Sequence, residues 1–122
     1  MAKIDRALIT LALAWLILGM LLGFYMGAAA DTSLLDVHVA MLLGGFVLLS
    51  VYGFIYRLWP LLKQSRLAKA QFWIAALGSV GTIVGAAQMV LGWGIITVAA
   101  GSAVAIIGAI LMGWLFVTAP EE

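Results

Sequence analysis

Between Ala70 and Pro120 the chain runs for 51 residues without one charged side chain. As a single helix at about 1.5 Å per residue this run would be roughly 77 Å long, more than twice the ~30 Å hydrocarbon core of a bilayer. It must therefore double back. The break falls at Gly92-Trp93-Gly94, where two helix-weakening glycines flank a tryptophan suited to a membrane interface. Two shorter uncharged runs precede it, Ala7 to Ala30 with 24 residues and Val37 to Tyr56 with 20, each long enough for one span. The expected fold is all-α, an integral membrane four-helix bundle forming one transmembrane domain over 1–122. Its helices are placed at 7–30, 37–56, 70–90 and 96–118, with a basic cytoplasmic linker at 57–69.

Composition closes other routes. Charged residues make up 9% of the chain, against about 25% in soluble domains, too few to cover a water-facing surface. The formal net charge is +1 and no long basic stripe is present, so nucleic acid is excluded as a partner. The absence of cysteine removes disulfides, iron–sulfur clusters, thiolate metal sites and covalently attached haem.

The basic residues set the orientation. Lys3, Arg6, Arg57, Lys63, Arg66 and Lys69 all fall on one side of a four-helix serpentine, and none falls on the other. Both termini are expected to be cytoplasmic in a bacterial-type inner membrane, with Asp31, Asp36 and Trp93 facing outward. Tyr56, Trp59, Phe72, Trp73 and Trp114 then map to the inner interface, and Phe24 and Tyr25 to the outer one. Ala28-Ala29-Ala30 has the small residues of a signal-peptide cleavage site. The apolar run ahead of it exceeds the about 7–15 residues of a signal core, so helix 1 is expected to be retained.

Small residues supply candidate seams. Gly19, Gly23 and Gly27 are spaced four apart, as are Gly101, Ala105, Ala109 and Gly113, and Gly81 and Gly85. In lipid such rows let backbones approach closely, within the bundle or between protomers. Lipid and either a homo-oligomer or a larger membrane complex are the expected partners. The linker, with Pro60 ending helix 2, reads as a positive-inside anchor or a binding segment for anionic lipid headgroups.

One residue carries the case for chemistry. His38 is the only histidine, placed about one turn inside the outer end of helix 2, and ionisable groups at such positions mark functional sites. An interfacial imidazole bonded to Asp36, a carbonyl or water is the plain alternative. Helical steps from His38 pass Met41, Gly45, Leu49, Tyr52 and Tyr56. Gly45 lies two turns inward, where a bare backbone would leave room for a flat macrocycle. His38, Gly45, Met41 and Tyr52 are thus the candidate cofactor-binding residues, with His38 as the metal ligand and haem b as the cofactor. A zinc site from His38, Asp36 and Asp31 lacks a fourth ligand, and no phosphate-cradling loop or serine–histidine–acid set is present.

The stretch His38-Val39-Ala40-Met41-Leu42-Leu43-Gly44-Gly45, ending in Tyr56-Arg57-Leu58-Trp59-Pro60, resembles the second helix of haem-copper oxidase and nitric oxide reductase catalytic subunits. The likeness covers about a fifth of the chain. In that family a histidine near the outer end of this helix ligates the low-spin haem, which implies the same role for His38. Similar small four-helix bacterial membrane proteins often carry a second histidine two residues earlier, where this chain has Asp36. The family's copper ligands, high-spin haem ligand and second low-spin ligand are also histidines. With one histidine, this chain cannot build a binuclear centre. A haem here is five-coordinate, shared by His38 from two protomers, or completed by Met26, Met89 or Gln88; for the methionines, gap-filling is the simpler role. Styrene oxide isomerases offer a looser resemblance, in which a helix-2 histidine holds one haem b whose open position acts on an epoxide. That likeness implies Tyr52 or Gln88 as substrate-orienting groups. A reading of another class is a cofactor-free accessory or scaffold subunit of a larger membrane complex.

Overall fold

The structure is a computed structural model describing residues 3–120. Four long helices carry the fold: α1 (Ile4–Ala29), α2 (Leu35–Leu58), α3 (Arg66–Val90) and α4 (Ile96–Thr118). All four are long and apolar enough to cross a membrane, and no strand occurs among the described residues. Large apolar side chains cover the outside, with Phe24 79%, Ile96 84% and Val117 81% exposed.

The expected spans hold to within a few residues, and the differences have local causes. α1 begins at Ile4 rather than 7, because Asp5 and Arg6 are accommodated in its first turn. α3 begins at Arg66 rather than 70: Ser65 takes an extended backbone and its hydroxyl accepts the Leu67 N–H at 3.2 Å, an N-cap. The linker is correspondingly shorter than 57–69, and Arg66 and Lys69 stand on the first turn of α3. α2 stops at Leu58 because Trp59 precedes Pro60 and leaves the helical region, after which Pro60–Gln64 form one 3-10 turn. Between α3 and α4, Gly92 (φ +80°) and Gly94 (φ +103°) supply the left-handed residues that turn the chain at the expected break.

α1 ends less comfortably. Ala30 is left-handed at φ 52°, its N–H bonding the Gly27 carbonyl and the Asp31 N–H reaching Met26 O at 3.0 Å. This is a Schellman termination with alanine where glycine is usual. Ala30→Gly should therefore raise stability by about 1 kcal/mol, read from denaturant or thermal unfolding in detergent. A loss of stability would show that the turn is not strained by the methyl group.

The helices pair as two hairpins, α1 with α2 and α3 with α4. α2 and α3 join the hairpins, whereas α4 rests almost wholly on α3. The buried side chains form two clusters. The larger lies toward the basic end (Ile4, Leu8, Ala12, Leu49, Tyr52 and Tyr56, with residues of α3 and α4), and the smaller is Val37, Ile83 and Ala86 toward the other.

The small-residue seams are real but shorter than a four-residue rhythm suggests. A Cβ on Gly81 would lie 3.0 Å from the Gly101 Cα, and one on Gly85 would fall on the Val98 backbone. Ala109 and Gly113, by contrast, are exposed. Each four-residue step advances about 40° beyond a full helical turn, so the row drifts off the contact face. Gly101, Gly108, Met112 and Leu115 are the buried positions on α4. Gly27 drifts off α1's face in the same way and meets nothing, while Gly19 and Gly23 receive α2.

Candidate functional site

His38 sits in the opening turns of α2, half-buried against α1. Its Nδ1 lies 2.8 Å from the carbonyl oxygen of Gly19. A carbonyl only accepts, so Nδ1 carries the proton and donates. In the neutral ring Nε2 therefore holds the lone pair, and it has no hydrogen-bond partner among the described residues. The ring packs on Gly23, where a Cβ would come within 2.8 Å of His38 Cε1. Two glycines of α1 thus hold the imidazole, one through its carbonyl and one through its missing side chain. A carbonyl bond at one ring nitrogen is the arrangement that orients histidine ligands and raises the basicity of the other nitrogen.

The rest of the predicted stripe also faces inward. Met41 is half-buried and packs toward Gly19 and the smaller apolar cluster; Gly45 is buried; Tyr52 and Tyr56 lie in the larger cluster. The space over Gly45 is filled, however. A Cβ there would lie 2.6 Å from Trp15 Cγ and 2.8 Å from Trp15 Cδ1, so the indole occupies the volume read from sequence as room for a macrocycle. That expectation is corrected: Gly45 receives a helix–helix contact. Leu8, Ala12, Trp15 and Gly19 share one face of α1 by their spacing, which sets the Trp15 indole opposite the bare backbone of Gly45.

α2 holds a feature the sequence reading missed. Ala40–Val47 is π-helical, with Leu48 N–H bonding Leu43 O five residues back. The stretch begins two residues after His38 and contains Gly44-Gly45, a pair that weakens regular helix. Such segments are uncommon and concentrate at functional sites.

The other candidates do not gather at His38. No hydrogen bond links Gln88 to the imidazole among the described residues, and its backbone carbonyl instead accepts the Trp93 N–H at 2.8 Å. Met26 is buried in α1 and Met89 is exposed. Asp31 accepts the Ser33 backbone N–H at 2.9 Å, which holds its carboxyl below the ordinary value, and Asp36 is exposed. No group of three His, Cys, Asp or Glu that could hold a metal ion occurs among the described residues.

A second polar centre lies toward the basic end. The Tyr56 hydroxyl donates to Gln71 Oε1 at 2.9 Å, and Gln71 Nε2 donates to the Gly108 carbonyl at 3.2 Å. Nearby in sequence, the nearly sealed Asp5 carboxylate meets Arg57 at 3.1 Å and Lys63 at 3.4 Å. Tyr56 and Phe72 are buried among the helices, whereas Trp73 and Trp114 are exposed. Tyr56 and Gln71 read as unrelated single polar residues in two helices, and only packing α2 on α3 brings them together.

No protein-family model matches the chain, and no curated protein or solved structure matches it.

Proposed function

We propose that this chain is a multi-pass protein of a bacterial-type inner membrane, with both termini cytoplasmic, that holds haem b through His38 Nε2 near the outer face for electron transfer or small-ligand chemistry. The orientation rests on the basic groups. Arg57, Lys63, Arg66 and Lys69 cluster at the α2–α3 connection and the helix turns flanking it, at the end where α1 begins, and the two opposite turns carry no Lys or Arg.

The haem reading is carried by the Nδ1–Gly19 bond. It fixes the tautomer so that Nε2 is the free, lone-pair-bearing nitrogen, as an axial ligand requires. The imidazole fits the group; the Gly45 face does not, because Trp15 lies there. A haem held by His38 would therefore have to lie outside the Gly45 face, on the lipid-facing side of the ring or between two copies, where two His38 imidazoles would hold it. When bound, the haem supplies a one-electron carrier or an open iron position; His38, Gly19 and Gly23 orient the ligand nitrogen.

The optical spectrum of the detergent-purified protein is the test. A Soret band is expected in the native chain and lost in His38→Ala, with helical circular dichroism unchanged. A colourless native protein, or a band indifferent to His38→Ala, overturns the reading.

The filled Gly45 face favours one second reading, a cofactor-free accessory subunit in which His38 simply ties α2 to α1. A colourless protein recovered with other membrane subunits would be its signature.

A further inference from the structure

Among the described residues, three polar atoms inside the bundle are sealed from the surface and have no hydrogen-bond partner: Trp15 Nε1, Tyr52 Oη and Thr82 Oγ1. Tyr52 is only 4% exposed. Leaving a buried N–H or hydroxyl unpaired is costly, and a helix in hydrocarbon has no bulk water to relieve it. Three such atoms in one small protein need a common explanation.

Their placement supplies it. Trp15 packs against both apolar clusters, so it stands at the seam between them. Its ring lies on Gly45, while the Thr82 methyl is 4.0 Å from where a Cβ of the adjacent Gly44 would be. Trp15 of α1 and Thr82 of α3 therefore flank the same Gly-Gly turn of α2 from two sides. Tyr52 follows Gly45 by seven residues, two turns along the same face, and helical side chains lean back toward their N-terminus, which here is the Gly45 side. The Gly-Gly turn lies in the π-helical stretch, where α2 is wider than an α-helix and its backbone ladder is open to insertion.

We propose that this seam is an internal hydration site: ordered water, midway along the helices, bridges Trp15 Nε1–H, the Thr82 hydroxyl and the Tyr52 hydroxyl. A water with about three partners is the usual way a protein satisfies isolated interior donors. Gly44, where a Cβ would meet only the Thr82 methyl at 4.0 Å, and the π turn leave the space beside the Trp15 indole that a side chain would otherwise close. The inference is independent of haem, since it uses none of the groups that hold His38.

The sign of a hydroxyl deletion tests it. If the hydroxyls were truly unpaired, replacing them with isosteres would be neutral or stabilising. With a bridging water, each deletion strips that water of a partner. Tyr52→Phe and Thr82→Val are each expected to lower the thermal midpoint in detergent by about 3–5 °C. The double variant should lose little more than the worse single one, because the shared water is lost once. In D2O the Trp15 indole N–H should exchange before the surrounding helix amides. Unchanged or raised midpoints, strictly additive losses, or an indole proton as protected as those amides would each overturn the proposal.

Discussion

Gly101→Ala is expected to lower the stability of the chain by about 2–3 kcal/mol, while Gly113→Ala, the same change on the same helix, leaves it within about 0.5 kcal/mol or raises it. A methyl group on Gly101 would fall on the Gly81 carbonyl and the Thr82 nitrogen, which are backbone atoms. A backbone cannot step aside as a rotamer can, so α4 would have to lift away from α3. Gly113 meets nothing within 4 Å, and there the better helix propensity of alanine acts alone. Because α4 rests almost wholly on α3, no other contact compensates for the opened seam. Gly85→Ala, whose methyl would fall on Val98, belongs with Gly101. Unfolding by SDS in mixed micelles measures all three. Equal effects at positions 101 and 113 would mean that the α3–α4 contact is looser than described.

The second large effect is expected at Gln71. This side chain is fully buried, accepts from Tyr56 and donates to the Gly108 carbonyl, so it links α2, α3 and α4 through one amide. Gln71→Leu keeps most of the volume and removes both bonds. The Tyr56 hydroxyl then retains only the long 3.5 Å contact to Ala68 O. A loss of about 1–3 kcal/mol is expected, and Tyr56→Phe should cost a similar amount by stripping Gln71 Oε1. Combined, the two changes should cost less than their sum, since the second removes a partner already unpaired. Additivity would show that the Tyr56–Gln71 bond is not formed.

The helices and their turns were readable because a bilayer imposes lengths and charges mark the ends. Ala70 to Pro120 had to fold back, and Gly92-Trp93-Gly94 was the place. The seams were readable only at their starts. Glycines every four residues catch the contact face at Gly81, Gly85 and Gly101 but leave it by Gly113, because 3.6 does not divide the rhythm. At the candidate site, spacing found the face of α2 that turns inward, from His38 through Tyr56. It did not say what fills that face. Trp15 lies 30 residues before Gly45, and a large residue meeting a small one across two helices leaves no mark in either helix alone. The π-helical stretch was hidden for a similar reason: apolar residues all around Ala40–Val47 carry no periodicity from which a register shift could be seen.

The Asp5 ion pairs also order events in time. The lysine that meets Asp5 stands 58 positions later in the chain and the arginine 52. α2 must follow α1 almost to its end before Arg57 can reach this acid, and the Pro60–Gln64 turn must follow as well before Lys63 can. The first turn of α1 is therefore among the last parts of the α1–α2 hairpin to be fastened.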